Sequence, residues 1–177
     1  MERIEILSKS ELKRTISRLA SEIIERVEEL ENCILLGIPT RGVLLAKVLA
    51  CELSNLIGYE IKMGSLDPTF HRDDLDQCGP RMVKPSHIPG DIQGSKIIII
   101  DDVIYTGRTV RAALNALHSW GRPDQVLLLT MVDRGHREVP IQPDFCGRRV
   151  PTRSSESIQL RLQEIDSEEG VFLKKNG

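Results

Sequence analysis

Aromatic side chains are scarce in this chain of 177 residues: three Phe, two Tyr and one Trp, 3% of the sequence. The core must therefore be built from Ile, Leu, Val and Ala, which the 40% hydrophobic content allows. No apolar run is long enough to cross a bilayer, and none follows Arg3 and Lys9 as a secretory signal would require. Cysteine is sparse too. Cys33, Cys51, Cys78 and Cys146 stand apart, without the spacing of a zinc site. Isolated thiols among apolar residues point to a reducing, cytoplasmic setting. Net charge is almost absent: 24 Lys and Arg against 26 Asp and Glu leave −2. A nucleic-acid partner would have to meet a local basic patch rather than a basic whole.

What is present is alternation. Leu12, Ile16, Leu19, Ile23, Val27 and Leu30 recur at helical spacing behind a capping-box pair, Ser8 and Glu11, which predicts a helix over 8–30. A buried strand follows at Cys33 to Leu36, then a helix over 42–56. Ile97 to Ile100 reads as a strand buried on both faces, 108–119 as a helix and Val126 to Val132 as another buried strand. Strand, helix, strand, helix, strand implies a parallel α/β sheet in one domain spanning 1–177. Residues 67–95, rich in Pro and Gly, form no regular element and are expected to be a flexible loop or lid. Beyond Pro140 the rhythm breaks; Ile158, Leu160 and Leu162 alternate as in a half-exposed strand, within a small hood over about 133–165.

The segment IIIIDDVIYTGRT, 97–109, carries the chemistry. A buried strand delivers Asp101 and Asp102 to its carboxyl end, where ligands bind in open α/β sheets. The turn that follows offers backbone N–H groups, hydroxyls from Thr106 and Thr109, close approach at Gly107 and the positive end of a helix, all suited to a phosphate. Two carboxylates beside a phosphate cradle repel unless something separates them. A ribose diol does so, its hydroxyls donating to the acids while its 5′-phosphate sits in the turn. A second tight turn, Gly37 to Gly42, lies between an earlier strand and its helix and adds the cation Arg41.

This segment resembles the phosphoribosyl pyrophosphate (PRPP) signature of type I phosphoribosyltransferases. Together with GIPTRG, HRDDL (71–75) and VDRGHREVP (132–140), nearly the whole chain resembles the PyrR family of bifunctional pyrimidine-operon regulators and uracil phosphoribosyltransferases. The resemblance implies that fold, magnesium carried with PRPP rather than bound directly by the protein, uracil and UMP as ligands, an mRNA leader as partner, and a homodimer or larger homo-oligomer. It implies catalytic roles for Asp101, Asp102 and Arg41. PRPP and UMP would be held by Thr40, Arg41, Arg81, Asp101, Asp102, Val103, Ile104, Tyr105, Thr106, Gly107, Arg108 and Thr109, with Arg72 as a further loop cation. A base-binding hood would contain Arg134, Gly135, His136 and Ile158, and the Thr40–Arg41 peptide is expected to be cis.

Two alternatives stay open: a regulator with little catalysis, and a transferase for another base such as hypoxanthine or guanine. Tyr105 weighs against the purine reading. Related 6-oxopurine enzymes carry an aspartate there, and a phenol with a pKa near ~10 accepts a proton poorly at neutral pH. For RNA the candidates are Arg14, Arg18 and Arg26 on the first helix, with Arg137 and Arg148 in the tail. Ser21 and Gln142 depart from the family pattern, where histidine and arginine occur, and bear on RNA binding more than on catalysis. Asp73 and Asp74 are of a type that could bind a metal, but they read better as a solvated loop face.

Overall fold

The computed structural model describes residues 3–73 and 84–175. Its main body is a sheet of five parallel strands: β2 (Cys33–Gly37), β3 (Lys62–Ser65), β4 (Lys96–Ile104), β5 (Gln125–Asp133) and β6 (Phe145–Arg149), in the order β3-β2-β4-β5-β6. Helices α1 (Lys9–Arg26), α2 (Arg41–Ile57) and α3 (Arg108–His118) cover it.

The isoleucine run explains why β4 is central. Successive side chains of a strand point to opposite faces. Ile98 and Ile100 join the core under α1 and α2, whereas Ile97 and Ile99 join the core under α3. All four are at most 1% exposed. Register then aligns the strand ends. Gly37 of β2 stands opposite Ile100, and Asp101 opposite Thr130 of β5, so the turns after β2 and β4 emerge side by side.

The capping box at Ser8 and Glu11 is present, and α1 buries Leu12, Ile16, Leu19, Ala20 and Ile23. The helix stops at Arg26 rather than at 30. Val27 turns to extended backbone and Glu29 is left-handed, while a 3₁₀ turn (Leu30–Asn32) still buries Leu30. The apolar spacing thus continues past the end of the helix.

Strands β1 (Arg3–Leu7), β7 (Glu156–Arg161) and β8 (Gly170–Lys175) form a separate antiparallel sheet in the order β1-β8-β7. Of these, only β7 is expected from the sequence. The tail is also not wholly a hood, because β6 completes the parallel sheet beside β5. A short helix α4 (Gln163–Asp166) follows β7. Within the expected loop, Ser65 and His87 exchange backbone hydrogen bonds at 2.8 Å, and Ile92 is 1% exposed. The returning arm is therefore packed. Arg81, Asp74 and Cys78 lie outside the described residues. No described helix is long and apolar enough to cross a membrane.

Candidate functional site

The sheet delivers Asp101 and Asp102 to a cleft at the carboxyl end of β4. Asp101 is 8% exposed; its Oδ1 accepts the Asp102 N–H at 2.9 Å, and Asp102 Oδ1 accepts the Val103 N–H at 2.9 Å. Burial pushes the Asp101 carboxyl well above the usual carboxylate range, and the neighbouring Asp102 charge adds to it. Asp102 is also raised by burial, against the opposing hydrogen bond from Asp101. The pair therefore holds a proton more readily than exposed carboxylates do.

Beyond β4 the chain turns through Tyr105, Thr106 and Gly107 into α3. Gly107 has φ +87°, and a Cβ there would stand 2.8 Å from Val139 Cγ2, so only glycine fits. The turn after β2 contains a cis peptide at Pro39–Thr40, one residue earlier than expected. Thr40 already has helical backbone as the cap of α2, and the Thr40–Arg41 peptide belongs to the start of that helix. Gly42 brings α2 onto the acid strand: a Cβ on it would lie 2.5 Å from the Ile100 carbonyl oxygen.

Two cavities, of about 610 Å³ and 530 Å³, meet at Arg72, Asp101, Val103 and Thr109, which line both. The larger is lined also by Ile104, Tyr105, Thr106, Gly107 and Arg108, and the smaller by Thr40, Arg41 and Asp102. Every described residue expected from the two turns thus borders one cleft. Arg72 donates to Thr109 Oγ1 at 2.8 Å. Asp73 is exposed, as expected of a solvated loop face, and is also ion-paired. Its carboxylate pairs with Arg108 at 2.8 Å and Arg111 at 3.1 Å on α3. Arg108 also pairs with Glu138 at 2.5 Å, a cleft residue within VDRGHREVP to which the sequence assigns no role.

The expected hood residues separate. Arg134, 8% exposed, lies over the Tyr105 ring at 4.1 Å and donates to Thr152 Oγ1, Arg153 O and Glu156 O. His136, with φ 63°, meets the Tyr105 ring edge-on at 5.4 Å, and Gly135 donates to Asp133. Ile158 instead packs against the main core and stands opposite Leu173 in the antiparallel sheet.

The RNA candidates also divide. Arg14 is exposed. Arg18 donates to the Cys146 and Gly147 carbonyls at 3.2 and 2.6 Å, and Arg26 to the Asp144 carbonyl at 2.6 Å while covering the Phe145 ring. Arg148 donates to the Ile6 carbonyl at 3.1 Å. Arg18 and Arg26 thus bind backbone on or beside β6, and Arg148 reaches from β6 to β1. Arg137 lines neither cavity but braces the turn that does. It donates to the Tyr105 carbonyl at 3.0 Å and pairs with Asp133 at 2.8 Å. Burial raises the Asp133 carboxyl, but Arg137 and the Gly135 N–H outweigh it and hold the group low.

Residues 3–164 match the phosphoribosyl transferase domain. A protein of Microcystis aeruginosa, bifunctional protein PyrR, is 51% identical over 172 residues, covering 97% of each chain. The bifunctional protein PyrR of Bacillus cereus is 46% identical over 175 residues, again with 97% of each chain covered. The chain belongs to the PyrR family. Its architecture is the type I phosphoribosyltransferase fold. A hypoxanthine-guanine phosphoribosyltransferase of Bacillus anthracis superposes with a TM-score of 0.72 at 16% identity, over 99% of this chain and 100% of that one. A hypoxanthine-guanine-xanthine phosphoribosyltransferase gives 0.70 at 20% identity, over 96% and 94%. At such identities the likeness carries the fold alone.

Proposed function

We propose that this chain transfers the phosphoribosyl group of PRPP to uracil, giving UMP and pyrophosphate, and that UMP in the same cleft governs its binding to the mRNA leader of pyrimidine genes. One observation carries the reading: Asp101 stands on the wall shared by the two cavities and Asp102 lines the smaller one beside it, with a phosphate-type turn on each side. The Thr106–Thr109 turn takes the 5′-phosphate, Asp101 and Asp102 take the ribose hydroxyls, and Thr40 and Arg41 take the diphosphate. The bond from C1′ to the diphosphate oxygen breaks, the bond from C1′ to uracil N1 forms, and N1 loses its proton. Positive charge develops on the ribose, where the buried carboxyls favour it. Magnesium carried with PRPP would supply positive charge against the diphosphate, and Asp101 and Asp102 would stand beside it; the pair fits a cation, because burial disfavours the negative charge of both carboxyls. Arg134, stacked on Tyr105, and His136 form the base side of the cleft.

A base panel tests this. With PRPP and magnesium, uracil should give nucleotide and pyrophosphate, and hypoxanthine, guanine, adenine and orotate at least ~100-fold less by kcat/KM. Hypoxanthine or guanine turned over as well as uracil would shift the assignment to purines.

The regulatory half makes a second prediction. Binding to the organism's own pyrimidine leader in a gel-shift titration should weaken with salt, through counterion release, and tighten with UMP. Arg18→Ala should weaken it and spare transfer. Arg137→Ala should instead lower transfer roughly 10-fold, because it frees the Tyr105 turn that Arg137 holds. Equal binding to leader and scrambled RNA, indifferent to UMP, would leave the enzyme alone.

A further inference from the structure

Arg41 does not stand alone at the mouth of the smaller cavity. Its Nη2 donates to Asp166 Oδ1 at 2.7 Å, from the last residue of α4, far along the chain. The side chains are 27% and 11% exposed, so this pair is more sheltered than an ordinary surface ion pair. Asp166 is itself fixed, because its other oxygen accepts the Leu162 N–H at 3.0 Å where β7 ends. Arg41 Nε is buried and has no hydrogen-bond partner, so among the described residues Asp166 is the group that orients the guanidinium. Arg41 lines the smaller cavity together with Asp102, Thr40 and Pro39.

We infer that Asp166 is a positioning residue for the diphosphate half of the reaction, holding the Arg41 guanidinium where the leaving group must be met. The inference rests on the assignment of the smaller cavity to diphosphate. The chemistry favours it. An arginine side chain has several rotatable bonds and spends little time in any one geometry unless its fork is engaged. A carboxylate on one edge removes that freedom and leaves the second edge for an anion. Asp166 carries the negative charge this role requires. Burial raises its carboxyl, but the Leu162 N–H and the Arg41 guanidinium overcome this and hold it low. The neighbouring pair, Lys47 with Glu164 at 3.2 Å, also ties α4 to α2 but touches nothing in the cleft, so it serves as the control.

The test titrates the whole protein with magnesium pyrophosphate and, separately, with UMP, which has no diphosphate, following heat by calorimetry. Asp166→Asn keeps the shape and the Leu162 contact and removes the charge. It should raise the Kd for magnesium pyrophosphate about 10-fold and leave the Kd for UMP within about 2-fold. Asp166→Glu should recover part of the loss, and Lys47→Gln should match the wild type for both ligands. Three results overturn the inference: an unchanged pyrophosphate Kd in Asp166→Asn, a tightened one, or equal weakening for pyrophosphate and UMP, which would mark a structural role. A wild-type protein that binds UMP but not magnesium pyrophosphate would instead remove the diphosphate assignment, and this inference with it.

Discussion

Asn at Asp101 or at Asp102 should lower kcat/KM for PRPP by at least ~10-fold and leave the fold intact or firmer. The two halves of that result have one cause. Burial and the Asp102 charge hold the Asp101 carboxyl well above its ordinary value. A carboxyl raised on folding contributes stability that is fully present below its unfolded value and is lost as pH rises through the folded one. At neutral pH the buried acid is therefore a cost to the fold that an amide relieves, while the same amide withholds negative charge from the ribose. For the wild type, kcat/KM should climb with pH as the pair gives up its proton, and Asp101→Asn should flatten that climb. Denaturant midpoints and initial rates on the same preparations decide the matter. Full activity in both single variants, or a marked loss of stability in either, would remove the acidic pair from the centre of the mechanism.

Gly42→Ala is expected to do the opposite and strike the fold first. The added methyl would approach the Ile100 carbonyl oxygen at 2.5 Å and the Asp101 Cα at 3.4 Å, both backbone and unable to swing aside. That carbonyl already accepts the Ile38 N–H at 2.9 Å, the bond that fastens the Arg41 turn to the acid strand. Accommodating the methyl means lifting α2 and breaking that bond, a loss of about 3 kcal/mol or more. Transfer should fall with it, because the two turns would no longer share one cleft. A denaturation midpoint equivalent to less than about 0.5 kcal/mol of destabilisation would show that α2 shifts freely.

The parts of this molecule that could be read from the chain are those whose signal is local. Ile97 to Ile100 declared a strand buried on both faces, and the acids and TGRT turn after it declared the ligand end. The strands that escaped notice have little local signal. Lys62–Ser65 is four residues with a glycine, Phe145–Arg149 ends in two arginines, and Arg3–Leu7 pairs with residues near 173. Partners far apart in sequence were equally silent: nothing near Arg41 announces Asp166, and nothing near Thr109 announces Arg72. Helical spacing did place Arg18 and Arg26 on a polar face. It did not say that they would bind carbonyls of β6 and of the residue before it. The misplaced cis bond is a case of a motif locating a turn without resolving which peptide within it is unusual.

The run of identical residues in β4 has a consequence for how the strand finds its place. If the strand slid by one position, isoleucine would still meet isoleucine on both sides of the sheet, and neither interior would register the error. Only the ends would. Asp101 would be drawn to the site of Ile100, which is wholly sealed from water, or Lys96 to that of Ile97. Either move leaves an ionisable group in hydrocarbon without partners, at a cost of several kcal/mol. The first carboxyl after the isoleucine run thus also limits how far the central strand can slide.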